Sequence, residues 1–254
     1  MTIFKEKVRN REVVLGTMIS EMSTANVVRI MKAAGFEFII VDCEHGYFDF
    51  SQLANIVSVG NGFNMPVIVR IPAIEREFVT KVLDMGSDGV LVPMINTVAD
   101  AKKVVELVKY PPMGLRGIST TRAHTNYNPP ALDEYIKIAN EKTMIFVQIE
   151  TKLGVENAER IAAVEGVNAL MVGPNDLAVD MGAPGHLETP EMDYAITQVI
   201  VATGKANKSC GIIDSHMGFL KKWQCRNMNI FSCSSEVGMM MKSAKTINKE
   251  FNER

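Results

Sequence analysis

The chain has no apolar run that approaches the roughly 18 residues of a membrane-spanning helix. Its opening stretch, MTIFKEKVRNREVV, lacks the long apolar core of a secretory signal. Both absences lead us to expect a cytoplasmic protein without a membrane partner. Cysteine is scarce. Cys43, Cys210, Cys225 and Cys233 form no Cys-x-x-Cys pair, and a chain this long is not a disulfide scaffold, so reduced and mostly buried thiols are expected. Basic charge is lacking too. A net charge of −2 gives no electrostatic support for a nucleic-acid or acidic-membrane partner. Low-complexity linkers are missing, and so is a glycine-rich dinucleotide loop after the first apolar run. One domain covering residues 1–254 is therefore expected, and a doubly wound nucleotide-binding sheet is disfavoured.

Short, β-branched apolar runs are plentiful. They are VVLGTMI (13–19), FIIVD (38–42), PVIVRI (66–71), GVLVPM (89–94), MIFVQIE (144–150), ALMVG (169–173), CGIID (210–214) and NIFSC (229–233). Each is nearly continuous rather than alternating, as strands buried on both faces are. Helical patterns separate most of them. In 24–34, Val27, Ile30, Met31 and Ala34 share a face and Gly35 stops the helix. Stretches 97–109 and 155–164 behave alike, with Thr97 as an N-cap. Eight strand–helix units in 254 residues match an α/β fold of the (β/α)8, or TIM, barrel type. Residues 110–130, with four prolines and little periodicity, read as an extended loop after the fourth strand that lies over the barrel mouth. Met239, Met240 and Met241 fall on a helix near the C-terminus and suit core or subunit packing.

Barrel chemistry sits at the C-terminal ends of the strands. The second strand ends in Asp42, Glu44 and His45, and the third carries Arg70 among apolar neighbours. The fifth ends in Gln148 and Glu150, the sixth runs into Gly173, Asn175 and Asp176, and the seventh ends in Asp214. A buried charge costs several kcal/mol unless it is paired. As scaffolding, Arg70 would pair with Glu150 and His45 with Asp42, but so many charges aimed at one mouth point to chemistry. Glu150 and Asp176, on successive strands, would repel each other unless one is protonated or a cation lies between them. Oxygen donors of this kind suit Mg2+ or Mn2+. His45 reads as a general base oriented by Asp42, and Arg70 offers a fork for a carboxylate or an oxyanion. A metal, an anion fork and a base together describe enolate chemistry on an α-keto acid. A Schiff-base lysine at Lys152 is the competing mechanism. His186 and His216 read as surface or packing residues.

With GFEFIIVDCEHG (35–46), PVIVRIP (66–72), GVLVPMINT (89–97), YPPMGLRG (110–117), VQIET (147–151) and VGPNDLAVDMG (172–182), the chain resembles the HpcH/HpaI aldolases over nearly its whole length. The resemblance implies a phosphoenolpyruvate/pyruvate-type barrel. It also implies a class II lyase that reversibly cleaves a 4-hydroxy-2-oxo acid to pyruvate and an aldehyde with Mg2+, Mn2+ or Co2+. By it, Glu150 and Asp176 match the metal ligands, and His45, supported by Asp42, matches the acid/base residue. Arg70 matches the residue that binds the keto acid and steadies the enolate. Gln148 matches a pocket residue, and the amides around Gly173, Asn175 and Asp176 receive the substrate carboxylate. It further implies a homohexamer, a trimer of dimers, with exchanged C-terminal helices. Two departures stand out: ISTTRAHTNYN (118–128) is one residue shorter than the family's glycine-rich piece, and an acid, Glu21, follows the first strand. Both fall where the aldehyde half is expected. Arg122 and His124 are candidates to contact the distal end of the substrate. The alternative is that, with Glu21, they serve oxaloacetate, by decarboxylation or by citrate-forming condensation with acetyl-CoA. A non-catalytic barrel that binds a keto acid is the third reading.

Overall fold

A computed structural model describes residues 3–253. Helix α1 (Ile3–Arg9) precedes strand β1 (Val14–Ile19), and the chain then alternates through α2 (Asn26–Ala33), β2 (Phe38–Asp42), α3 (Phe50–Gly62), β3 (Val67–Arg70), α4 (Arg76–Asp84) and β4 (Gly89–Val92). Two helices, α5 (Val98–Val108) and α6 (Leu132–Lys142), lead to β5 (Met144–Ile149). Then come α7 (Lys152–Ala162), β6 (Ala169–Val172), the short α8 (Pro174–Asp180), α9 (Pro190–Lys205), β7 (Ser209–Asp214), α10 (Met217–Gln224), β8 (Ile230–Ser235) and α11 (Glu236–Asn252). The strands close into one parallel barrel in the order β1 to β8. All eight apolar runs of the sequence are strands of it.

The two-residue period of a strand divides these runs between two cores. Ile39, Val41, Val67, Val69, Val90, Val92, Val147 and Val172 point outward to the helices. Phe38, Ile40, Ile68, Leu91, Phe146 and Met171 point inward and fill the barrel. Phe4 and Val8 join this inner cluster, so α1 plugs the N-terminal end of the barrel. Two residues on from Ile40, Ile68 and Phe146, the same period directs Asp42, Arg70 and Gln148 inward at the opposite end, where apolar filling gives way to buried polar side chains. The register sets Asp42 directly across from Arg70.

Side-chain caps start many of the outer helices at this polar end. Asp49 and Gln52 form a capping box on α3, and Thr97 and Asp100 form one on α5. Thr151 caps α7 and Ser235 caps α11.

The 110–130 segment does not lie over the mouth. It follows helix α5, not a strand, so it begins at the N-terminal end of the barrel. Arg116 pins it there: its side chain donates to Asp84, the last residue of α4, at 2.7 Å and stacks on Tyr110. The Asp84 carbonyl accepts from His124 Nδ1 at 3.1 Å, and the ring packs on Tyr135. The cysteines are all free, as expected, but only Cys43 and Cys210 are buried; Cys225 is exposed and Cys233 half-buried. No helix among the described residues is long and apolar enough to cross a membrane.

Helix α11 is an exception to the packing of the rest. Glu236 is its only buried residue. Met240, Ile247 and Phe251, at helical spacing on one stripe, are 50%, 63% and 87% exposed.

Thr97→Ala removes the reciprocal cap of α5 and is expected to cost about 1 kcal/mol, a fall in Tm of about 2–4 °C for a domain of this size. Thr97→Ser should restore it. Calorimetric unfolding of the three proteins checks this.

Candidate active site

The turn after β2 answers why three ionisable residues end an apolar strand. Asp42 is 3% exposed and Arg70 is 7% exposed. Asp42 Oδ1 accepts from Arg70 Nε at 2.8 Å, and Oδ2 from Arg70 Nη2 at 2.6 Å. Asp42 Oδ1 also accepts from the backbone amides of Glu44 at 3.0 Å and His45 at 3.3 Å. Burial opposes ionisation of Asp42, but the Arg70 hydrogen bonds and charge and the two amides outweigh it, and the carboxyl sits below its ordinary range. Glu44 holds the other side of the guanidinium, with Oε2 3.1 Å from Arg70 Nη1.

Asp42 therefore does not orient the His45 ring. Its hydrogen bonds go to Arg70 and to the His45 amide. The imidazole is 70% exposed, and the nearest carboxylate is Glu44, 3.9 Å from Nε2. A bidentate guanidinium across the register is a better partner for a buried aspartate than an imidazole three residues on. The turn is tight enough to require glycine at 46, where a Cβ would lie 2.2 Å from the Asp42 carbonyl and 2.7 Å from that of Ser20.

Across the mouth, Glu150 is 2% exposed. Its Oε1 accepts from Gln148 Nε2 at 2.8 Å and its Oε2 from the Met94 amide at 2.8 Å. Met94 adopts a left-handed backbone, φ 55°. Gly173 opens the space: a Cβ there would meet Glu150 Oε1 at 2.3 Å. Burial pushes Glu150 up to about 7; the Met94 amide opposes this, and the charges of Asp176 and Glu44 reinforce it. Glu44 is raised by burial and by Asp42 and Asp176, against the pull of Arg70 and His45. Asp176 and Asn175 stand exposed in the first turn of α8.

The Asp176 charge thus adds to the burial that disfavours ionised Glu150, with the Met94 amide and Arg70 pulling the other way. Gln148 Oε1, buried beside Glu150, has no hydrogen-bond partner. These oxygens fit a hard divalent cation. Among the described residues no cluster of three His, Cys, Asp or Glu side chains is arranged to hold a metal; the oxygens available here are those of Glu150, Asp176 and the Gln148 amide. Arg70 does not fill their space, because its nitrogens are engaged by Asp42 and Glu44.

The structure brings together Asp42, His45, Arg70, Gln148, Glu150, Gly173, Asn175 and Asp176. It does not bring Arg122 and His124 to them. Within the chain these two belong to the loop that packs on Asp84 and Gly86, away from the strand ends. Lys152 opens α7 on the surface, and its amide donates to Asp180. Sequence reasoning assigned no role to Glu44, which lies against Arg70, or to Glu236, which anchors the loop after β1. Glu44 stands in the motif between Asp42 and His45; Glu236 gives no local signal. A groove of about 910 Å³ opens at the other end beside Phe4, Lys32 and His124, and neither Asp42, Glu44, Glu150 nor Asp176 lines it.

Residues 17–221 match the family profile described as HpcH/HpaI aldolase/citrate lyase. The chain is 28% identical to a 5-keto-4-deoxy-D-glucarate aldolase of Salmonella paratyphi C, over 98% of this chain and 96% of that one. It is 26% identical to a hydroxypyruvate/pyruvate aldolase of Roseovarius nubinhibens, over 95% and 93%. The crystal structure of an HpcH/HpaI aldolase from Desulfitobacterium hafniense superposes with a TM-score of 0.95 at 29% identity, covering 100% of this chain and 98% of that one.

The raised pKa of Glu150 has a signed consequence for metal-free protein. Between its ordinary 4.5 and about 7, the folded state keeps a proton that the unfolded state has shed. Stability should therefore fall as pH rises through that window, by up to about 3 kcal/mol, and level off above it. Glu150→Gln should flatten the slope. Urea unfolding in EDTA at a series of pH values checks both.

Proposed function

We propose, for a chain that belongs to the HpcH/HpaI aldolase/citrate lyase family, that this barrel is a divalent-metal-dependent aldolase. It cleaves a 4-hydroxy-2-oxo acid reversibly to pyruvate and an aldehyde. The observation that carries the reading is a buried guanidinium held rigidly by Asp42 and Glu44 beside a carboxylate, Glu150, that is hard to ionise. A fork for developing negative charge stands next to two acids whose oxygens suit a divalent cation.

Glu150 and Asp176, with the Gln148 amide oxygen, would hold Mg2+, Mn2+ or Co2+. When bound, such an ion supplies Lewis-acid polarisation of the keto acid. The chain's own residues do the rest. Arg70 carries five N–H donors. Asp42 takes one on Nε and one on Nη2, and Glu44 lies against Nη1. The remaining donors serve a keto-acid oxygen. The first-turn amides of α8, at Asn175 and Asp176 beyond Gly173, receive the substrate carboxylate. His45 takes the proton of the C4 hydroxyl. The C3–C4 bond breaks, the aldehyde leaves, and the electron pair of that bond becomes the pyruvate enolate. Arg70 stabilises the enolate oxygen until C3 is protonated.

The exposed stripe Met240, Ile247 and Phe251 supports an assembly in which a second copy covers α11. A hexamer built as a trimer of dimers, with that helix exchanged, is the form we infer. The working context is a cytoplasmic enzyme with a small keto acid as its partner. The oxaloacetate reading, by decarboxylation or citrate-forming condensation, calls on Arg122, His124 and Glu21. Only Glu21 lies at a strand end, so the aldol reading is preferred. A non-catalytic keto-acid binder would not need the intact set of His45, Arg70, Glu150 and Asp176.

The test is exchange of the C3 protons of pyruvate with heavy water. We expect exchange with Mn2+ or Mg2+, loss in EDTA, and a fall of about 10²–10³-fold in Arg70→Ala. Unimpaired exchange in that variant would remove Arg70 from the mechanism. Exchange that survives EDTA but not borohydride would favour Lys152.

A further inference from the structure

We propose that Glu236 is a positioning residue that fixes the β1–α2 loop as the wall against which the aldehyde sits, and that this wall favours aldehydes without a distal carboxylate. The proposal deepens the aldolase reading and rests on it.

Glu236 is the first residue of α11, and the rest of that helix is solvent-facing or half-buried. Its side chain turns inward and is 3% exposed. The carboxylate meets the loop that follows β1. Oε1 accepts from three successive backbone amides: Ser20 at 2.9 Å, Glu21 at 2.7 Å and Met22 at 2.9 Å. Oε2 accepts from the Ser20 amide at 2.9 Å and the Ser20 hydroxyl at 3.2 Å. Three consecutive N–H groups converging on one carboxylate give a loop shaped around an anion. The two segments are 216 residues apart in the chain, so the clamp closes the barrel between its first and last strands. Burial opposes ionisation of Glu236, but the amides outweigh it and hold the carboxyl below its ordinary range.

The clamped loop lies against the turn that carries His45. The Ser20 carbonyl is the second-nearest neighbour of a Cβ placed at Gly46, at 2.7 Å. A shift of Ser20 therefore shifts the 44–46 turn. The pyruvate side is built from other elements: Arg70 on β3, Gln148 and Glu150 on and after β5, and Asp176 on α8. Loss of the clamp should act chiefly on the acceptor, because Arg70 keeps its two hydrogen bonds to Asp42 even where Glu44 moves with the turn.

The wall also carries charge. It presents Glu21, an exposed acid next in sequence to Ser20, whose carbonyl approaches the turn at Gly46. Of the cations at these strand ends, Arg70 is engaged by Asp42 and Glu44. Arg122 and His124, which the sequence offers for a distal carboxylate, lie elsewhere in the chain. An aldehyde ending in a carboxylate would meet repulsion there, while an uncharged hydroxyaldehyde would not.

The test uses the full-length, metal-loaded protein and the variants Glu236→Gln and Glu21→Gln. The first replacement removes the charge and turns an NH2 group toward amides that need an acceptor. We expect backbone amides 20–22 to exchange at least about tenfold faster in E236Q. Pyruvate C3 exchange should stay within about twofold, while KM for glycolaldehyde rises about tenfold. Wild type should prefer glycolaldehyde to succinic semialdehyde by about tenfold or more in kcat/KM, and E21Q should narrow that preference. If E236Q does not fold, Glu236→Asp keeps the charge on a shorter arm and should show the same split at smaller amplitude. An unchanged KM despite a loosened loop overturns the positioning role. So does an equal fall in pyruvate exchange and aldol rate, which would mark a general structural role. A wild-type preference for succinic semialdehyde overturns the selectivity. A wild type that never exchanges pyruvate protons sinks the aldolase reading itself, and the loop-exchange measurement then shows separately whether the clamp exists.

Discussion

Asp42 and Arg70 face each other across the β2–β3 register, buried and joined by two hydrogen bonds, and the rest of the mouth is arranged around them. Taking two such charges out of water is expensive, and a buried pair is weak evidence for stability in itself. Breaking one is different: removing one partner strands the other, at a cost of about 3–5 kcal/mol. The pair makes sense as a positioning device. Asp42 uses both oxygens to fix the guanidinium plane and still accepts the amides that shape the turn to His45. Glu44 closes the other side. Arg70 is left with a set orientation and spare donors, which suits an enolate better than a flexible lysine would.

Charge balance links this pair to the other half of the mouth. Glu150 is buried with only an amide side chain and a backbone N–H against it, and Asp176 and Glu44 add negative potential. The Arg70 charge favours ionised Glu150, but burial and these carboxylates outweigh it. The mouth is thus short of positive charge where a keto acid would bring further oxygens. A divalent ion held by Glu150 and Asp176 would relieve that shortage and supply Lewis-acid polarisation. The clamp at Glu236 obeys the same constraint: a carboxylate satisfied entirely by N–H and O–H donors of one loop shapes that loop without drawing on Arg70.

Much of this is legible in the sequence. Eight β-branched runs are eight strands because a parallel barrel buries both faces of each, and that pattern is local. Arg70 and Glu150 stand out because charge at the end of such a run is costly. Pairing is what the sequence hides. It sets His45 three residues from Asp42, but the barrel register sets Arg70 directly opposite, and register is not a local property. The 110–130 segment is misread although the helix before it, 97–109, is legible: a loop that leaves the end of that helix starts at the other end of the barrel. Glu236 leaves no trace at all, since its partners lie at the opposite end of the chain.

A cation held by Glu150 and Asp176 would act together with the guanidinium of Arg70 to stabilise a planar dianion. Oxalate, a mimic of the pyruvate enolate, tests it directly by calorimetric titration with and without Mn2+. The account predicts tight oxalate binding that needs both Mn2+ and Arg70, with an affinity at least about tenfold above that of lactate, which is tetrahedral at C2. Oxalate binding that is equal without Mn2+, or no tighter than that of lactate, would contradict it.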